Sequence, residues 1–212
     1  MTLESAFPWL SLLAAVGAGV AAASRPRTEA ALKAAALGAL AFYAYFRWIA
    51  PTAVSMALCL EAIAEAVLPR GSDRWRSPKV GLAAVGWLVL ANLYAGTGDG
   101  PGVFVTDAGK AALLALLLIG GGYGLWRLSA RREWGLGLAV LASALGLMSG
   151  AALTLDWGFW PVLAGAAAVV ASEALALYVE AGFRLGDTPA MRRLVWALAF
   201  LGQVAMAYGF LR

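Results

Sequence analysis

Residues 157–181 read WGFWPVLAGAAAVVASEALALYVEA: sixteen residues without a charge, then Glu173 inside an apolar run that continues past it. A run of this length matches the ~20 residues a helix needs to cross the hydrocarbon layer of a bilayer. Its apolar residues are continuous where a barrel strand would alternate, so the segment predicts a helix. Working outward, seven further runs of the same kind fill the chain. The spans expected are helix 1 over Phe7–Ala23, helix 2 over Ala30–Ala50, helix 3 over Thr52–Leu68 and helix 4 over Val80–Gly96. Helix 5 covers Ala108–Leu128, helix 6 Trp134–Leu155, helix 7 Trp157–Ala181 and helix 8 Met191–Leu211. Short connections join them, so the expected fold is all-α: one polytopic bundle of about eight transmembrane helices.

Composition agrees. The 212 residues are 62% hydrophobic and only 13% charged, too little polar surface to disperse a soluble domain of this size. Met1–Leu10 carries Glu4 and no Lys or Arg ahead of the first run, which predicts a retained helix in place of a cleaved signal peptide. The single cysteine, Cys59, allows no disulfide framework. The chain has no histidine, which removes the commonest metal ligand and the usual neutral-pH proton carrier. Histidine-dependent triads and zinc hydrolases are excluded.

The net charge of +4 sorts by loop and points to membrane orientation, with no call for a nucleic-acid partner. Of the 16 Lys and Arg, thirteen lie at odd-numbered connections: Arg25, Arg27, Lys33, Arg70, Arg74, Arg76, Lys79, Arg127, Arg131, Arg132, Arg184, Arg192 and Arg193. Arg47, Lys110 and Arg212 share the other side with Glu4, Asp99, Asp107 and Asp156. The positive-inside rule makes the odd loops cytoplasmic and turns both termini outward. Trp9, Trp48, Trp157 and Trp160 fall near the outer boundary, and Trp75, Trp126 and Trp134 near the inner one, as aromatic belts do.

Charged groups inside the spans cost at least ~2.5–3.5 kcal/mol each on insertion scales and so call for a function. Glu61 and Glu65 lie in helix 3 and Glu173 in helix 7. Glu61 is eight residues before Pro69 and Glu173 eight before Ala181, which puts both about 12 Å above the cytoplasmic helix ends. Glu65 is one turn nearer the cytoplasm on the face of Glu61, and Lys33 has a depth suited to pairing with it. Around the acids, residues 59–64 (CLEAIA) set against 171–176 (ASEALA) would suit a parallel repeat of four helices, 1–105 and 106–212. Asn92 in helix 4 and Gln203 in helix 8 sit at mid-depth, and Ser172, Tyr178 and Tyr94 would complete a polar lining. Gly120–Gly124 and Gly146–Gly150 fit the spacing that lets helices approach closely.

At helices 3, 7 and 8 the chain resembles the YhhN family of lysoplasmalogenases, eight-helix membrane proteins. In the stretch Gly165–Gly209, Ser172-Glu173 and the apolar residues after it look like the family's Ser-Asp motif. Gln203 falls where the final helix of that family carries a glutamine, after Arg193-Leu194-Val195. Lys33 resembles the lysine that opens the second helix, and Glu61 or Glu65 stands at the acid of the third. Asn92 lies near the position of the family's histidine. Both acids are Glu where the family has Asp, and the histidine is absent.

The resemblance implies hydrolysis of the vinyl ether of a lysoplasmalogen, giving a fatty aldehyde and a glycerophospho-alcohol. A buried carboxylic acid would protonate the vinyl carbon, and a second, ionised carboxylate would stabilise the cation and activate water. This is the division of labour in glycoside hydrolysis. It needs no metal and no organic cofactor. Glu61, Glu65 and Glu173 are the catalytic candidates; Lys33, Asn92, Ser172, Tyr178 and Gln203 are the candidates for binding the lysophospholipid. A lipid-binding or structural relative without turnover would also account for the Asp-to-Glu changes. A small proton-coupled carrier would bury carboxylates too, but is expected to break its helices beside them, where this chain has only Pro69 at a helix end.

Overall fold

A computed structural model describes residues 3–21, 26–47, 52–67, 73–97, 160–180 and 188–209, with isolated residues between 106 and 151. Among the described residues all regular structure is helical, so the chain is all-α. The complete helices are α1 (Leu3–Ala21), α2 (Pro26–Arg47), α3 (Thr52–Val67), α4 (Asp73–Thr97), α5 (Trp160–Glu180) and α6 (Pro189–Tyr208). The spans expected over Ala108–Leu128 and Trp134–Leu155 fall largely outside the described residues.

Local chemistry sets the helix ends. α2 opens at Pro26, ahead of the apolar run, because a proline at the first helical position is already fixed near helical φ. Glu29 in that first turn complements the positive end of the helix dipole. At the start of α6 the Thr188 hydroxyl accepts from Met191 N at 3.2 Å and Pro189 follows it, an N-cap and first-turn proline together. α6 is long and apolar enough to cross a membrane, while Pro8–Ala21, Gly81–Tyr94 and Trp160–Ala176 are shorter apolar stretches.

Consecutive helices pack as neighbours from α1 through α4, and α6 packs along α5 while also touching α1, α2 and α3. The interior is built largely from small residues, among them Ala15, Ala18, Ala36, Ala41, Ala57, Ala166 and Ala207. Small side chains let backbones come close, and the closest approach is between α5 and α6. A Cβ added at Gly165 would lie 2.5 Å from the Gly202 carbonyl oxygen, and one at Gly202 would lie 2.7 Å from that of Gly165. α3 and α4 meet more loosely, at Gly86 against the Ala57 carbonyl.

The exterior is apolar as well as the core. Large apolar side chains stand outward on every helix: Trp9, Leu13, Val16 and Val20 on α1, Phe42 and Phe46 on α2, Ile63 on α3, Leu88 on α4, Leu201 on α6. Buried polar groups lie inward, including Ser11, Glu29, Lys33, Ser172 and Gln203.

Candidate functional site

The interior face of α6 carries Trp196, Phe200 and Gln203, spaced so that the first and last are two turns apart on one side of the helix. Each meets a different part of the bundle. At Gln203 the side-chain amide donates from Nε2 to Oε2 of Glu61 on α3, at 2.5 Å. The other oxygen of Glu61, Oε1, accepts from the indole Nε1 of Trp87 on α4, at 3.2 Å. Three helices thus converge on one carboxyl group. Glu173 on α5 and Glu65 on α3 both lie within electrostatic range of Glu61. The wholly buried Tyr94, two turns along α4 from Trp87, is also reached by the charge of Glu61.

About 10 Å towards the other end of α6 lies a second polar cluster. The Trp196 indole donates to the Ala15 carbonyl of α1 at 3.0 Å. Over its ring sits the ammonium of Lys33, 5.1 Å from the centroid. Lys33 is buried and pairs with Glu29, one turn away on α2, at 2.8 Å. One turn before Trp196, Arg193 donates from Nε to the Gly19 carbonyl at 3.0 Å, close to the end of α1. That carbonyl belongs to the last turn of α1, where helix oxygens lack intrahelical partners, so Arg193 acts as a cap from another helix.

No family model, curated protein or solved structure matches the chain. The site therefore rests on its own geometry.

Of the residues singled out from sequence, Glu61 and Gln203 are in contact, and Glu65 and Glu173 are in electrostatic range of Glu61. Lys33 belongs to the second cluster, where its partner is Glu29. Ser172 is buried, but its hydroxyl donates back to Val169 O on its own helix at 2.7 Å. Asn92 falls on the exposed side of α4 with Val85 and Leu88, opposite the side that carries Trp87 and Tyr94. The side chain of Tyr178 lies outside the described residues. The two small-residue pairs read from sequence lie largely outside them as well; the close contact found is between Gly165 and Gly202.

Two participants were not legible as such. Trp87 looks like apolar filler in an apolar helix, and only its N–H, invisible to hydropathy, gives it a role. Glu29 stands in the first turn of α2, ahead of the expected span, yet it is only 2% exposed. Its position four residues before Lys33, the favourable order for a helical ion pair, was the available signal.

Proposed function

We propose that the chain is a multi-pass integral membrane protein of about eight helices, with both termini outside, that hydrolyses the vinyl ether of a lysoplasmalogen-type lipid. The exposed apolar side chains support the membrane reading, as does one helix of sufficient length. Aromatic residues gather at one end of the bundle, with Trp9, Trp160, Phe42, Tyr45 and the Tyr43–Tyr208 pair, and Arg27, Arg192 and Arg193 at the other.

The observation that carries the hydrolase reading is Glu61: a carboxyl inside the bundle, held by neutral donors from two other helices, with a second carboxyl on α5 in range. Buried polar contacts of this kind contribute about 0.6 kcal/mol each to helix association, too little to justify two interior acids as adhesive. The reaction needs one carboxyl of the pair protonated and the other ionised.

In that state the protonated member gives its proton to the outer vinyl carbon, and the double-bond electrons form the new C–H bond. The carbon attached to the ether oxygen becomes oxocarbenium-like and is stabilised by the ionised member. Water adds there and loses a proton to that carboxylate, and the hemiacetal collapses to the aldehyde and the glycerophospho-alcohol. Glu61 and Glu173 divide these roles, with Glu65 held one turn from Glu61.

The test is aldehyde release from lysoplasmenyl lipid by the purified protein. Loss of at least about a hundredfold in both Glu61→Gln and Glu173→Gln is expected, the scale of general acid–base catalysis. Unchanged turnover in both variants ends the assignment, and bound lipid with no turnover by the native chain would favour a lipid-binding protein instead.

A further inference from the structure

The two oxygens of Glu61 are held by chemically different donors. Oε1 accepts from an indole, Oε2 from a carboxamide. An indole nitrogen only donates, whereas a carboxamide carries an NH2 donor and an oxygen acceptor on one rotatable group. The Trp87 contact therefore keeps one polarity in every protonation state of Glu61. The Gln203 contact reverses when the amide turns over, presenting NH2 to an ionised Oε2 and the carbonyl oxygen to a protonated one.

From this asymmetry we infer that Trp87 is a positioning residue that confines the exchangeable proton of Glu61 to Oε2, with Gln203 as the reversible partner that follows it. The inference rests on the reading of Glu61 as a catalytic carboxyl and names the atom that works. A proton leaving Oε2 leaves its bonding pair on that oxygen, and the amide NH2 turns to meet the charge. A proton arriving at Oε2 is met by the amide carbonyl. A proton on Oε1 would instead compete with an N–H that has no other mode, forfeiting a buried hydrogen bond.

The fold places both donors. Trp87 is only 3% exposed, and a Cβ on the residue before it, Gly86, would lie at an ordinary contact distance of 3.4 Å from the Ala57 carbonyl, one turn before Glu61. Gln203 likewise follows Gly202, whose backbone is pressed against that of Gly165. Each donor sits next to a helix crossing, so its reach to Glu61 is set by the fold.

Dicyclohexylcarbodiimide, which reacts with protonated carboxyl groups from within lipid, reads the state of Glu61 without substrate. Labelling of Glu61, located by mass spectrometry, is expected in the native protein. At the same pH it is about tenfold faster in Trp87→Phe, because the carboxylate has lost a buried donor. Because that variant removes a core contact as well, a second measurement uses the native chain. Among its nine indole N–H resonances, one follows the titration of Glu61 while staying hydrogen-bonded at both ends, and it no longer titrates in Glu61→Gln. Equal labelling rates in native and Trp87→Phe protein, an unlabelled Glu61, or nine indole signals indifferent to Glu61 would each overturn the inference. Neither measurement needs turnover, so a failure of the hydrolase reading shows separately, as absent aldehyde.

Discussion

Gln203 and Glu61 are 142 positions apart in the chain and joined by a hydrogen bond of 2.5 Å. The bond links α6 to α3, and it places a second neutral donor, beside that of Trp87, on the carboxyl group. The consequences for variants can be stated one by one.

Because Glu61 and Glu173 act on one another, their removal should not be additive. Each Gln substitution alone lowers aldehyde turnover by about a hundredfold or more, and the double variant is no worse than the poorer single one. Steady-state rates for the four proteins close the cycle. Losses that simply multiply would show two independent groups.

The α5–α6 crossing admits no side chain. Gly202→Ala and Gly165→Ala each force a methyl group against backbone, and each costs about 1–3 kcal/mol by overpacking. Turnover falls with stability, since Gln203 is displaced with the turn that carries it. Gly38 on α2 is the control: nothing lies within 4 Å of a Cβ there, and Ala stabilises the helix by up to about 1 kcal/mol. Thermal unfolding in detergent separates the two classes.

Lys33→Met strands Glu29, a carboxylate 2% exposed, without its cation. The expected loss is about 3 kcal/mol, the usual penalty of half a buried pair. Adding Glu29→Gln to the same protein restores most of it, because the uncompensated charge is gone. A double variant as unstable as the single one would mean that the ammonium matters through Trp196 instead.

Orientation can be read with cysteines in a Cys59→Ser background. Thr28→Cys, exposed at the start of α2, reacts with an impermeant maleimide only in permeabilised cells. Thr106→Cys, exposed on the far side of α4, reacts in intact cells. The reverse pattern would invert the topology.

The helices were largely legible because a long continuous apolar run reads as a helix where a strand would alternate. Glu61 and Gln203, which meet in the structure, were conspicuous for the converse reason: a polar group in such a run stands out. Facing is harder. In α4, where apolar residues occupy all sides, no stripe tells which way Asn92 points, and it falls outward. Trp87 and Gly202 hide for a different reason, since hydropathy ranks an indole by its rings and treats a glycine as neutral, and their roles lie in one N–H and in a missing Cβ. Glu29 stood at a helix start, where an acid is ordinary. Its burial is a property of the helices around it.

α6 is the last of the six helices to leave the ribosome, yet it supplies a donor to Glu61, donors to two carbonyls of α1 and the ring beneath Lys33. While the chain is still short of α6, Glu61 has the indole of α4 but no amide, and the end of α1 has no guanidinium to cover it. A C-terminally shortened chain keeps the first contact and lacks the other two, which form only once synthesis has passed Arg193 and Gln203.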